Sequence, residues 1–118
     1  MYLLDVLRHD VEHNQDGLSL EDAIETYQDR LKEGFVPFIK NDTLFLLRFD
    51  DDVVFYHSIN AAPRQAYIDN IYYLVEVLRS KGYKAAYTEL TNPKLKAFVK
   101  RYFKDSIIID DYSIMFFN

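Results

Sequence analysis

The sequence predicts an α+β fold, a mostly antiparallel sheet with one central parallel pair and helices on both faces. Runs dense in β-branched and aromatic residues recur along the chain, as half-buried strands require: "FVPFIK", "TLFLLRF", "VVFYHSI", "YKAAYTEL", "SIIID" and "YSIMFFN". Stretches with apolar residues at helical spacing precede the first of them and flank the fourth on either side. The third and fourth runs are joined by a whole amphipathic helix rather than a hairpin, which requires a right-handed crossover between parallel neighbours.

Each element has its own signal. Tyr2–Glu12 has apolar residues at 3, 4, 7 and 11, a helical spacing, with a short strand over 2–7 as the alternative. "NQDG" breaks the chain, and Ser19 with Asp22 three residues on forms a capping-box variant. The helix it opens carries Leu20, Ala23, Ile24, Tyr27 and Leu31 on one face, and Gly34 ends it. Asn41-Asp42 suits a tight hairpin turn, Asp50-Asp51-Asp52 a second one, and Pro37 marks the first strand as an edge or bulged strand. Pro63 fits the first turn of the crossover helix, whose broad apolar face is Ala66, Ile68, Ile71, Tyr72, Leu74, Val75 and Leu78, with Gly82 at its end. Asn92 caps the last helix with Pro93 at its first position, and Leu95, Phe98, Val99 and Tyr102 form its buried stripe.

Length and composition narrow the function classes. At 118 residues the chain is expected to form one domain, 1–118, with no repeat or Gly/Ser linker to divide it. No cysteine is present, so disulfides and thiolate metal sites are excluded. No signal peptide or membrane span is expected, which suits a cytoplasmic or virion location. Net charge −5 disfavours general nucleic-acid binding. The charge is polarised: Met1–Glu33 carries nine acids against three bases, and Arg79–Asp105 eight bases against two acids. Such polarity suits a protein partner or a homo-oligomer joined end to end.

The order β-β-β-α-β-α-β-β after a helical amino-terminal segment resembles the GNAT fold, that of the GCN5-related N-acetyltransferases. The resemblance implies that the amides opening the crossover helix, at Arg64, Gln65 and Ala66, face the pyrophosphate of acetyl-CoA or another acyl-CoA. It also implies that the following strand splays from its neighbour to admit the pantetheine arm, and that Asn92 contacts the cofactor. Tyr102 would be the general acid on the leaving thiolate, at a spacing from Asn92 about a turn longer than usual, and His57 or Glu89 the base. The chain departs from the family's Q/R-x-x-G-x-G/A loop: Arg64 matches its first position, but Tyr67 and Asp69 replace the glycines. Glycine is needed there so that backbone amides approach phosphate closely. "RYFKDS" stands where a glycine-phenylalanine pair usually follows the last helix. The chain also resembles the small GNAT-like proteins of tailed bacteriophages. The combined expectation is a non-enzymatic protein with no cofactor, binding a virion or host protein. The alternative is an active acyl-CoA-dependent N-acyltransferase.

Other motifs read as solvated surface. His9-Asp10-Val11-Glu12-His13 has the H-x-x-E-H form and could place two histidines on one helix face, but no third ligand is identifiable and no metal site is expected. Asp50-Asp51-Asp52 and Asp110-Asp111 are turns. Lys96, Lys100 and Lys104 share an exposed face opposite the Leu95/Phe98/Val99 stripe.

Overall fold

In a computed structural model of the protein, residues 3–14 and 19–117 are described. The expected break at "NQDG" therefore falls, apart from Asn14, outside the described residues. The elements are α1 (Leu3–Asn14), α2 (Leu20–Lys32), β1 (Val36–Lys40), β2 (Thr43–Asp50), β3 (Val53–Asn60), α3 (Arg64–Ser80), β4 (Ala85–Glu89), α4 (Pro93–Tyr102), β5 (Ile107–Ile109) and β6 (Tyr112–Phe116). They build one six-stranded sheet in the order β1-β2-β3-β4-β6-β5, in which β3 and β4 are the parallel pair and all other neighbours are antiparallel. This is the expected architecture, with β1 at an edge as Pro37 implied.

Local chemistry sets the boundaries. The Ser19 hydroxyl accepts from the Asp22 amide at 3.1 Å while the Asp22 carboxylate accepts from the Ser19 amide at 3.2 Å, completing the capping box. Asn92 Oδ1 accepts from the Leu95 amide at 2.8 Å. Asn41 and Asp42 both take positive φ, 43° and 69°, as a two-residue hairpin turn demands. Pro63 stands at the N-cap of α3, one residue earlier than its sequence suggests.

Strand alternation divides the core between the two faces. Phe45, Leu47, Val54, Ala86 and Met115 pack under α3 and α4 with Ile68, Ile71, Leu74, Leu78 and Val99. Leu44, Leu46 and Phe55 pack under α1 and α2 with Val6, Leu7 and Phe35. The buried seam of α1 is Leu3, Val6 and Leu7, so Leu4 is left 46% exposed although it shares the apolar pattern. At 100° per residue, Leu4 turns away from the seam that positions 3, 6 and 7 define.

A buried polar chain fixes where α3 leaves the sheet. Asn70 Nδ2 donates to Thr43 Oγ1 at 2.8 Å and to the Asn41 carbonyl at 3.0 Å. Thr43 Oγ1 donates in turn to Asn60 Oδ1 at 2.7 Å, and Asn60 grips both the carbonyl and the amide of Ala62. Asn70 and Thr43 are 2% and 0% exposed, so the bond between them has no water to replace it. Replacing Asn70 by Ala removes the buried donor to Thr43 Oγ1 and leaves a void. The expected result in urea denaturation is a loss of about 2 kcal/mol with an unchanged m value.

Candidate functional site

The parallel pairing of β3 and β4 is short. Val53, Val54 and Phe55 pair with Ala85, Ala86 and Tyr87, and there the pairing stops. β3 continues to Asn60 against β2 alone, while β4 continues to Glu89 against β6. The carboxyl halves of β3 and β4 therefore diverge and open a wedge on the α3/α4 side. A sheet cannot leave such a gap empty, because its backbone groups and flanking apolar side chains would lose both contacts and partners.

Side chains fill the wedge. Tyr67, in the first turns of α3, lies across it and its hydroxyl shares a 2.6 Å hydrogen bond with Ser58 Oγ on β3. The Tyr67 ring stacks on Phe98 of α4 at 5.8 Å. What remains between Tyr56, Ser58, Tyr67, Thr88, Leu95 and Phe98 is a cavity of about 30 Å³, room for a water molecule. Burial pushes the phenol of Tyr67 above its ordinary value, partly offset by the bond to Ser58. Burial, then the neighbouring Tyr67, pushes Tyr56 well above its own.

The residues singled out from the sequence fall into separate groups. Arg64, Gln65 and Ala66 form the first turn of α3, which has no side-chain cap and no acid in it. Their amides are the orphan donors of that helix end, with Tyr67 the first residue whose amide bonds back, to the Pro63 carbonyl at 2.9 Å. Gln65 Nε2 is held by the Asp69 carboxylate at 3.0 Å. The Arg64 guanidinium sits over the Tyr102 ring at 5.3 Å, and Arg101 does so at 5.4 Å. Tyr102 thus lies with Arg64 outside the residues that line the wedge. Asn92 borders a shallow hollow with Tyr67, Lys94, Leu95 and Phe98, its amide oxygen committed to capping α4.

His57 and Glu89 belong to the opposite face. Alternation along β3 sends His57 toward α1 and α2, where it packs at 4.8 Å on Phe55 and 5.4 Å on Phe35. It borders a cavity of about 250 Å³ with Tyr27, Arg30, Leu46 and Thr91. Burial holds its pKa below the ordinary value; Arg30 and Arg48 lower it further, while Glu89 and Glu33 pull it partly back. Tyr56 and Ser58, which sequence reasoning passed over, are the β3 residues that face the wedge. Their signal is the period of two that sends His57 the other way. Among the described residues no group of three or more His, Asp or Glu side chains could hold a metal ion. His9 and His13 stack at 4.1 Å on α1 without a third ligand.

No family model and no curated protein matches this chain. Among solved structures it is similar to one described as the N-acetyltransferase from Staphylococcus aureus Mu50, with a TM-score of 0.53 and 10% identity over 96% of this chain and 92% of that one. At that identity the likeness shows the fold, which is GNAT-like.

The raised phenols of Tyr56 and Tyr67 make alkaline stability a readout of the filled wedge. An unfolded chain loses phenolic protons near pH 10, whereas the folded chain holds them to higher pH. The stability they contribute is therefore complete below pH 10 and falls as pH climbs through the folded values, by about 1.4 kcal/mol per pH unit per group. Denaturation curves between about pH 9 and 11.5 should show this decline, and Tyr67→Phe and Tyr56→Phe should each make it shallower.

Proposed function

We propose that this chain is a GNAT-fold protein that works by binding another protein and does not turn over acyl-CoA. The observation that carries the reading is Tyr67, whose side chain occupies the wedge between β3 and β4 and is bonded to Ser58. A pantetheine arm entering there must displace a ring that is stacked on Phe98 and a hydroxyl that is hydrogen-bonded. Asp69 adds a carboxylate to the second turn of α3, where it repels a pyrophosphate. The phage-protein resemblance makes a virion or host protein the partner class in this reading.

A second reading, an active N-acyltransferase, is favoured by one specific observation. The first turn of α3 is uncapped beside Arg64 and next to a splayed strand pair, an arrangement that suits an anionic phosphate. In that reading Arg64, Gln65, Ala66 and Asn92 hold the cofactor. His57, neutral at pH 7 because burial and two arginines disfavour its charge, takes the amine proton, with Glu89 beside it. Tyr102 would have to leave Arg64 to protonate a thiolate in the wedge.

Calorimetric titration with acetyl-CoA and a longer acyl-CoA separates the two. The first reading predicts no saturable heat and no rise in melting temperature at millimolar ligand. A ligand at a hundred times its Kd would add about 2.7 kcal/mol, a rise on the order of 10 °C for a domain of this size. Saturable binding that Arg64→Ala weakens at least about tenfold, worth roughly 1.4 kcal/mol, overturns it.

A further inference from the structure

The two faces of the sheet are unequally covered. On the α3/α4 side helices lie across both halves. On the other side α1 and α2 pack on β2 and β3, and the hollow over β4 and β6 is lined by strand and turn residues with no helix residue among them. The register aligns the side chains of that bare half in rows: Ala85 with Phe116, Tyr87 with Ile114 and Ile107, and Glu89 with Tyr112 and Ile109. Ile107, Ile109, Tyr112 and Phe116 are 49%, 53%, 40% and 57% exposed, an unusual concentration of large apolar side chains on one face. Ile109, Tyr112 and Phe116 border a groove of about 400 Å³ floored by Ala85, Tyr87 and Ile114. The covered core runs straight into it, with Phe55 and Tyr87 rings 4.9 Å apart and Tyr87 and Tyr112 rings 6.1 Å apart.

We propose that this groove seats a short amphipathic helix of a partner protein, with basic residues beside its apolar stripe. The proposal rests on the protein-binding reading above and names its surface. Geometry selects a helix. From β4 to β5 is two interstrand spacings, about 10 Å, which is the width of one helix. The five-residue strands β4 and β6 run about 17 Å, the length of roughly three helical turns. A helix there extends the layer that α1 and α2 begin, continuous with the core they cover. Charge selects its flanks. Asp110 borders one end of the groove with Glu89 and Asp111 next to it by register and sequence, and one ammonium, Lys96 Nζ, lies 3.3 Å from the Asp110 carbonyl there; at the other end Lys84 is already paired with Asp52 at 3.2 Å. Three carboxylates against one ammonium leave that end acidic, and it complements lysine or arginine bordering a Leu or Phe stripe.

The test uses a fluorescein-labelled peptide of about 14 residues with Leu and Phe at i, i+3, i+4 and i+7 and Lys on both flanks. Its partner probe keeps the stripe and carries Glu on the flanks. Fluorescence anisotropy should show saturable binding of the Lys peptide and at least about tenfold weaker binding of the Glu peptide. The Ile109→Ser/Phe116→Ser protein, whose replaced side chains are more than half exposed and whose circular dichroism should match the parent, should bind the Lys peptide at least about tenfold more weakly. No saturable binding, equal binding of both peptides, or an unaffected double variant overturns the proposal. So does a dimer in sedimentation that the double variant dissolves, because the face then belongs to a second copy. Acyl-CoA titration is independent: saturable acyl-CoA binding beside intact peptide binding removes the functional reading and leaves the groove, and failure of both ligands removes only the groove.

Discussion

The three-pair limit on the parallel ladder between β3 and β4 is the constraint around which this protein is arranged. Beyond Phe55 and Tyr87 the two strands keep different neighbours, β3 pairing with β2 and β4 with β6. The divergence exposes the ends of both strands on the side where α3 and α4 pack. In a chain with glycines at positions 67 and 69 that space would be open to a ligand lying on the helix amides. Here Tyr67 reaches into it from α3, Phe98 closes it from α4, and Ser58 supplies the polar partner that a buried phenol needs. The polar chain from Asn70 through Thr43 to Asn60 keeps the α3 end of this arrangement in register.

The same sheet explains why the other face has a different character. α1 and α2 precede the sheet in sequence and settle on β2 and β3, which pair along their full length and present Leu44, Leu46 and Phe55. β4, β6 and β5 are added after the crossover, and their outer rows continue that apolar surface without a helical cover among the described residues. One face thus carries a wedge closed by its own side chains, and the other a groove that is open. The closed gap and the open groove thus lie on opposite sides of one sheet.

Much of this was legible in the sequence. Cap residues Ser19 and Asn92, the Asn41-Asp42 turn and the glycines after α2 and α3 each announce a boundary, because each satisfies a local backbone requirement that few residues meet. The parallel pair followed from the amphipathic helix that stands between "VVFYHSI" and "YKAAYTEL" in place of a hairpin. The substitution of Tyr67 for glycine was also visible, but not where its ring goes, which depends on the divergence of two strands that local spacing cannot report. Tyr102 illustrates the same gap. Its position on the apolar stripe of α4 was readable, whereas its stacking under Arg64 brings together residues from two helices 38 positions apart. Leu4 on α1 and the bare rows of β5 and β6 show the converse case, apolar residues whose pattern promised burial and whose surroundings leave them exposed.

The proposed function stands or falls on Tyr67 keeping the gap between β3 and β4 closed to a pantetheine arm. A crystal structure determined with millimolar acetyl-CoA tests it most directly. The expected result is a Tyr67 hydroxyl still on Ser58, with no pantetheine density between β3 and β4. Density for the pantetheine arm in the wedge, with the Tyr67 ring swung out toward solvent, would contradict it.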